Sequence, residues 1–97
     1  KNRIGLVMEG FPRALAAIGH VATYGAAKYT DHGWRTVPNG RARYTDAMYR
    51  HLLAEASGHV QDDESGLQHA AHAAWNAMAR LELMLSAQPA THKEPQP

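Results

Sequence analysis

The most constraining feature of this sequence is its stretch Gly66–Ala87, which is alanine-rich throughout and meets no proline until Pro89. Alanine is the strongest helix former, so the stretch predicts the longest helix of the chain. Placed on a wheel of about 100° per residue, Ser65, His69, His72 and Asn76 fall within one narrow arc. Leu67, Ala70, Ala74, Met78, Leu81 and Leu85 flank them. A polar seam beside apolar positions is costly when buried without partners. It is therefore either a satisfied hydrogen-bonded network or a site.

Two further helices precede it. The first is expected from Ala14 to Tyr29, with Pro12 in its lead-in turn and Leu15, Ile18, Val21 or Ala22, and Gly25 or Ala26 recurring at helical spacing. Gly19 and Gly25 interrupt it and would allow another backbone to approach, and Lys28 in the last turn complements the macrodipole. The second is expected from about Thr45 to Ala56, with Met48, Leu52 and Leu53 available for a core and Gly58 as its stop. Residues 1–10 read as an extended lead-in. The loop Thr30–Arg43 holds Asp, Gly, Pro and the Asn39–Gly40 pair, and is long enough to be functional. In HVQDDES, Asp62, Asp63 or Ser65 is expected to cap the third helix. The polar, proline-containing end is too poor in apolar residues to pack and is expected to be disordered. The expected organisation is thus an all-α domain over residues 1–87, with three main helices, room for a short extra turn near the long loop, and a disordered C-terminal tail over 88–97.

Composition narrows the function classes. Hydrophobic residues make up 44% of the 97 residues, but alanine supplies an unusual share, so close packing or oligomerisation must supply core. A net charge of +1 with interspersed signs gives no basic stripe, which argues against a nucleic-acid polymer as partner. Cysteine is absent, excluding disulfides and thiolate zinc sites. No apolar run approaches the roughly 20 residues of a membrane span, and no signal peptide is evident, so the expected compartment is the cytoplasm. Seven histidines are the outlier, and they lean toward metal or proton-transfer chemistry.

On the second helix, Tyr44, His51 and Glu55 share an arc. Two more histidines opposite, with Asp62 and Glu64 closing one end, would make a divalent-metal pocket. The alternative is a hydrogen-bonded core network with solvated charges, and pattern alone leaves both open. Lys28, Tyr29 and Trp34 suit a phosphate-binding lysine beside base-stacking aromatics; a helix-end cation with two packing aromatics explains them more simply. Arg50 is placed to pair with Asp46 at i,i+4, and Trp75 to pack a helix interface. His20, His32 and His92 look incidental.

The runs YGAAKYTDHGW, YRHLLAE with Gly58, and DDESGLQHAAHAAWNAM resemble the phage and prophage dATP/dGTP diphosphohydrolase N-terminal domain family, a relative of the all-α MazG-like nucleotide pyrophosphohydrolases. The resemblance extends to about Leu83 and is most specific from Arg50 to Asn76. It implies a compact MazG-like helical bundle assembling as a homodimer or higher homo-oligomer, in the host cytoplasm if phage-encoded. It also implies hydrolysis of dATP and dGTP to the monophosphate and pyrophosphate with Mg2+ or Mn2+. On that basis Glu55, Asp62 and Glu64 would hold the metal, with His51, His69 and His72 as ligands or proton shuttle. Glu55, Glu64 and His69 would carry the catalysis. Lys28 and Arg50 would contact phosphates, Asn76 would orient a ligand or the sugar, and Trp34 or Tyr29 would face the base. The pattern departs from MazG-like enzymes in carrying His51-x3-Glu55 and His69-x2-His72-x3-Asn76 where those have paired carboxylates, and His59 where close relatives often have glutamate. Two alternatives follow: a histidine-rich HD-like metallophosphohydrolase, although no His-Asp pair occurs, or a non-catalytic helical interaction module.

Overall fold

The computed structural model describes residues 1–87. The tail expected to be disordered, with His92, lies outside the described residues. Helices α1 (Gly5–Gly10), α2 (Pro12–Lys28), α3 (Gly40–Ala56) and α4 (His69–Ser86) follow one another, with a 3-10 turn at Gly33–Thr36 in the long loop. The fold is all-α with three main helices, as expected. No helix among the described residues is long and apolar enough to cross a membrane.

Several boundaries differ from the sequence expectation, each for a local reason. The lead-in is helical rather than extended: Leu6, Met8 and Glu9 are good helix formers. It is separated from α2 only at Phe11 (φ −129°, ψ 46°). Pro12 disfavours the helical region for the residue before it, and that sets the break. Helix α3 starts at Gly40 rather than Thr45, because Asn39 takes the left-handed conformation (φ 55°) and turns the chain directly into the helix. It stops where expected. Gly58 is left-handed (φ 95°), His59 N–H donates to Ala54 C=O at 3.0 Å, and Gly58 N–H donates to Glu55 C=O at 3.0 Å. This is a Schellman closure.

Helix α4 begins at His69, not Gly66, since the residues before it are committed to a tight ribbon. Asp62 N–H donates to Leu67 C=O (2.8 Å), Gly66 N–H to Asp62 C=O (2.8 Å), and His69 N–H to Val60 C=O (2.9 Å). Gln61 and Gln68 form an isolated antiparallel bridge between these. The expected acidic cap is therefore corrected. The N-cap is Gln68, without a side-chain cap bond, and the Asp62 carboxylate serves the ribbon instead.

Helices α3 and α4 pack antiparallel. His51 meets His69 at one end, Arg80 Nε donates to Thr45 Oγ1 (2.9 Å) further along, and Gly40 faces Leu83 at the other end. Helix α2 packs on another side of α4, which makes α4 the central element. Its alanines supply most of the core: Ala71, Ala73 and Ala79 are buried, with Val21 of α2. The close approach occurs at Gly40, where a Cβ would lie 3.0 Å from Leu83 Cδ1. Gly19 and Gly25, expected to admit another backbone, face open space instead. Leu52 and Leu53, expected in the core, are exposed (Leu53 by 68%), because the inward face of α3 runs through Gly40, Tyr44, Met48 and His51. The expected Asp46–Arg50 pair does not form; the ion pair among the described residues is Lys28–Glu64.

Gly40→Leu is expected to lower unfolding stability by about 1–3 kcal/mol through overpacking. Gly19→Ala, where a Cβ meets nothing, is expected to raise it by roughly 0.5–1 kcal/mol. Urea titration of both variants checks the pair; equal effects would contradict the assigned close contact.

Candidate functional site

Three histidines converge where α3 meets the start of α4. His51 comes from α3, and His69 and His72, three residues apart, project from one face of the first turn of α4. His51 Nδ1 and His69 Nδ1 are 2.8 Å apart. One Nδ1 must donate and the other accept, so only one of these two nitrogens carries a hydrogen in this arrangement. The rings of His51 and His72 stack with centroids 4.5 Å apart and an interplanar angle of 10°. His72 Nε2 lies 2.7 Å from Ser65 Oγ, and that oxygen also accepts the Leu67 N–H (3.1 Å). Thus Ser65, placed on the histidine arc by the sequence, precedes α4 yet still reaches His72.

Burial pushes His51 below the usual histidine range, and the neighbouring His72 and His69 reinforce this, with Asp62 opposing. Burial likewise lowers His72, again opposed by Asp62. Both rings are therefore neutral at pH 7. Burial alone would raise Asp62, but hydrogen bonds from Ser65 outweigh it and hold the carboxyl below its usual range. Asp62 Oδ2 accepts the Ser65 N–H at 2.8 Å and the Glu64 N–H at 3.1 Å. His51, Asp62 and His69 each offer one ligand atom, and these atoms lie within 4.8 Å of one another. The hydrogen-bonded network and the candidate cation site thus draw on the same residues. For both Nδ1 atoms to face an ion, the donor ring would carry its proton on Nε2 instead, which a neutral imidazole permits.

The other sequence candidates divide around this centre. Glu64 is turned away from it and pairs with Lys28. That contact raises Lys28 and lowers Glu64, and Glu64 also raises the Tyr24 hydroxyl. The Lys28 ammonium lies 5.5 Å from the Tyr29 ring centroid and 6.0 Å from that of Tyr24. Glu55 is exposed and outside the convergent group, because Ala54 takes the inward position in the last turn of α3. Arg50 is also exposed.

A cleft of about 790 Å3 adjoins the histidines, bounded by α2, the long loop and α4. His72, Tyr24, Trp34, Tyr44, Trp75 and Asn76 line it. Trp34, Tyr44 and Trp75 pack edge-to-face, with centroids 5.5–6.3 Å apart, and the Tyr44 hydroxyl donates to Trp34 C=O (2.7 Å). Trp75 packs between elements as expected, and it is also a cleft wall. Tyr29 stands at the rim, 73% exposed. Tyr24 was not singled out by the sequence reasoning. Its signal was the i,i+4 spacing from Lys28, which puts both on one face of α2.

The chain matches the family described as "dATP/dGTP diphosphohydrolase, N-terminal" over residues 1–93. It is 37% identical over 67 residues to a protein of Salmonella phage PMBT28 named dATP/dGTP diphosphohydrolase, a stretch covering 69% of this chain and 22% of that protein. The chain therefore spans about a fifth of that relative's length. No solved structure matches it.

Because His51 and His72 are held below the ordinary value of 6.5, the native state binds fewer protons than the unfolded chain as pH falls. Stability is full above about pH 6.5 and is lost on acidification through the folded values. His69, Asp62, Arg50 and Glu64 are the charged or titratable groups that bear on these rings. The thermal midpoint of the metal-free chain is expected to drop between pH 7.5 and 5, and His51→Gln to flatten the drop. A flat or rising profile in the parent chain would contradict the assignment.

Proposed function

This chain belongs to the dATP/dGTP diphosphohydrolase N-terminal family, and we propose that it hydrolyses dATP and dGTP to the monophosphate and pyrophosphate with a divalent cation. The observation that carries this is the convergence of His51, Asp62 and His69 at the edge of an aromatic cleft that His72 shares. The donor set fits a divalent ion. Two imidazoles and one carboxylate suit Mn2+ or another first-row ion better than Mg2+, which prefers oxygen ligands throughout. When bound, such an ion neutralises charge on phosphate oxygens and lowers the pKa of a water.

The chain's own residues supply the rest. The Ser65 N–H keeps Asp62 anionic, and burial keeps His51 neutral, with a lone pair to offer. His72 lines the cleft, is neutral, and hydrogen-bonds to Ser65, so it is the ring placed to accept a proton from the attacking water. Lys28 would exchange Glu64 for a phosphate, and Arg50, next to His51 in sequence, would reach another. Glu55 has no place in the metal set of this proposal. The histidine content of the cluster also favours a second reading, an HD-like phosphohydrolase. That enzyme would release triphosphate rather than pyrophosphate.

A second copy of the chain is the proposed partner for the apolar rows that α3 and α4 leave exposed, including Tyr49, Leu52 and Leu53, and Met78, Leu81 and Leu85. Light scattering is expected to give a multiple of the 10.6 kDa chain mass, and the pair Leu53→Glu with Leu81→Glu to reduce it. A monomeric parent chain would contradict the proposal.

The activity is tested by following pyrophosphate release from dATP and dGTP with Mg2+, Mn2+ and Co2+. Asp62→Asn keeps the acceptor for the Ser65 N–H but removes the charge. It is expected to lower kcat by about 100-fold and to weaken Mn2+ binding measured by electron paramagnetic resonance. No turnover by the intact chain with any of the three ions, or an unaffected Asp62→Asn variant, would overturn the proposal.

A further inference from the structure

Asn76 is 6% exposed. Its Oδ1 has no hydrogen-bond partner among the described residues, yet the residue lines the cleft. Buried polar atoms are rarely left unpaired in a native protein, so an orphan calls for an explanation. Packing does not provide one. Along the same helix the buried positions 71, 73 and 79 are alanine, and alanine at 76 would suit the helix better than asparagine. Nor does Asn76 hydrogen-bond to any member of the histidine cluster, whose bonds run among His51, His69, His72, Ser65 and Asp62. The Asn76 side chain borders a space walled by Tyr24, Trp34 and Trp75, while its orphan acceptor is itself shielded beneath that wall, one turn of the amide away from it. Aromatic faces of this kind stack on a flat ring.

We infer that Asn76 sets base specificity: its amide turns into the cleft when a nucleobase is held there, and its Oδ1 then accepts an N–H from the base edge. The inference rests on the nucleotide reading of the preceding subsection. The donor would be the exocyclic amine of adenine, or the N1–H and amine of guanine. An asparagine amide meets a base edge in this way, with its NH2 free to donate to the adjacent ring nitrogen or carbonyl. A base that lacks the N–H leaves the acceptor buried and unpaired, and a site built around such a hydrogen bond rejects the analogue strongly. The phosphates of a base seated here would extend past His72, which borders both the cleft and the histidine cluster.

The test uses Trp34 and Trp75 as reporters, since both line the cleft. Their fluorescence quenching is titrated without metal, using dAMP, dGMP, the monophosphate of purine 2′-deoxyriboside (which lacks the edge N–H) and deoxyribose 5-phosphate. dAMP and dGMP are expected to bind roughly 10- to 100-fold more tightly than the purine analogue. Asn76→Ala is expected to erase that gap by weakening the two natural nucleotides alone. Equal affinity of dAMP and the analogue, deoxyribose 5-phosphate binding as well as dAMP, or no nucleotide binding at all would overturn the inference. The ligand series on the parent chain decides the matter even if Asn76→Ala fails to fold. The two proposals fail separately. Discriminating binding without pyrophosphate release would remove hydrolysis and leave Asn76, whereas equal kcat/KM for dATP and the purine triphosphate would do the reverse.

Discussion

Everything in this structure depends on how closely α3 and α4 can approach. Gly40 touches Leu83 at one end, and alanines are the buried apolar residues along α4. An interface of small side chains brings backbones together but buries little apolar area per residue. The pairing is therefore reinforced by larger groups. Near the middle of α4 the Trp34–Tyr44–Trp75 cluster supplies aromatic bulk, and at its start His51 hydrogen-bonds to His69. The second contact lies within the candidate site, so the candidate chemistry and the helix pairing share the same two histidines.

The ribbon between the two helices adds the carboxylate. Once Gly58 has ended α3, the chain must reverse within a few residues, and Gly66, also left-handed (φ 73°), completes the reversal. The Asp62 side chain ties down the N–H groups of Glu64 and Ser65 inside that turn. The same bonds keep it ionised and aim it at the histidines. Glu64, two residues on, is carried outward to Lys28. Neighbouring acids in sequence thus acquire different surroundings from one short turn: one faces the imidazoles, and the other faces the end of α2.

Much of this was legible beforehand. The alanine-rich stretch and its histidine arc foretold α4 and the faces of His69, His72 and Asn76, because helical periodicity is a local property. Gly58 as a stop and the Asn39–Gly40 turn were legible for the same reason. The grouping of His51 with His69 followed from matching arcs on two helices. Less legible was which residue of the inward face of α3 comes last. The arc of Tyr44 and His51 drifts, so either Ala54 or Glu55 could fall inside, and packing chose Ala54. The pairing of Lys28 with Glu64, residues far apart in the chain, had no local signature at all.

The sequence by itself determined the three main helices, their polar seam and the family, since each depends on the order of residue types along the chain. Only the tertiary structure decided that Asp62 joins the histidines while Glu55 and Glu64 do not, and that Asn76 borders a cleft with its Oδ1 buried and unpaired. Those outcomes turn on which surfaces meet when α2, α3 and α4 pack. Proximity between distant segments, and the burial that sets the charge state of His51 and His72, arise only from that meeting.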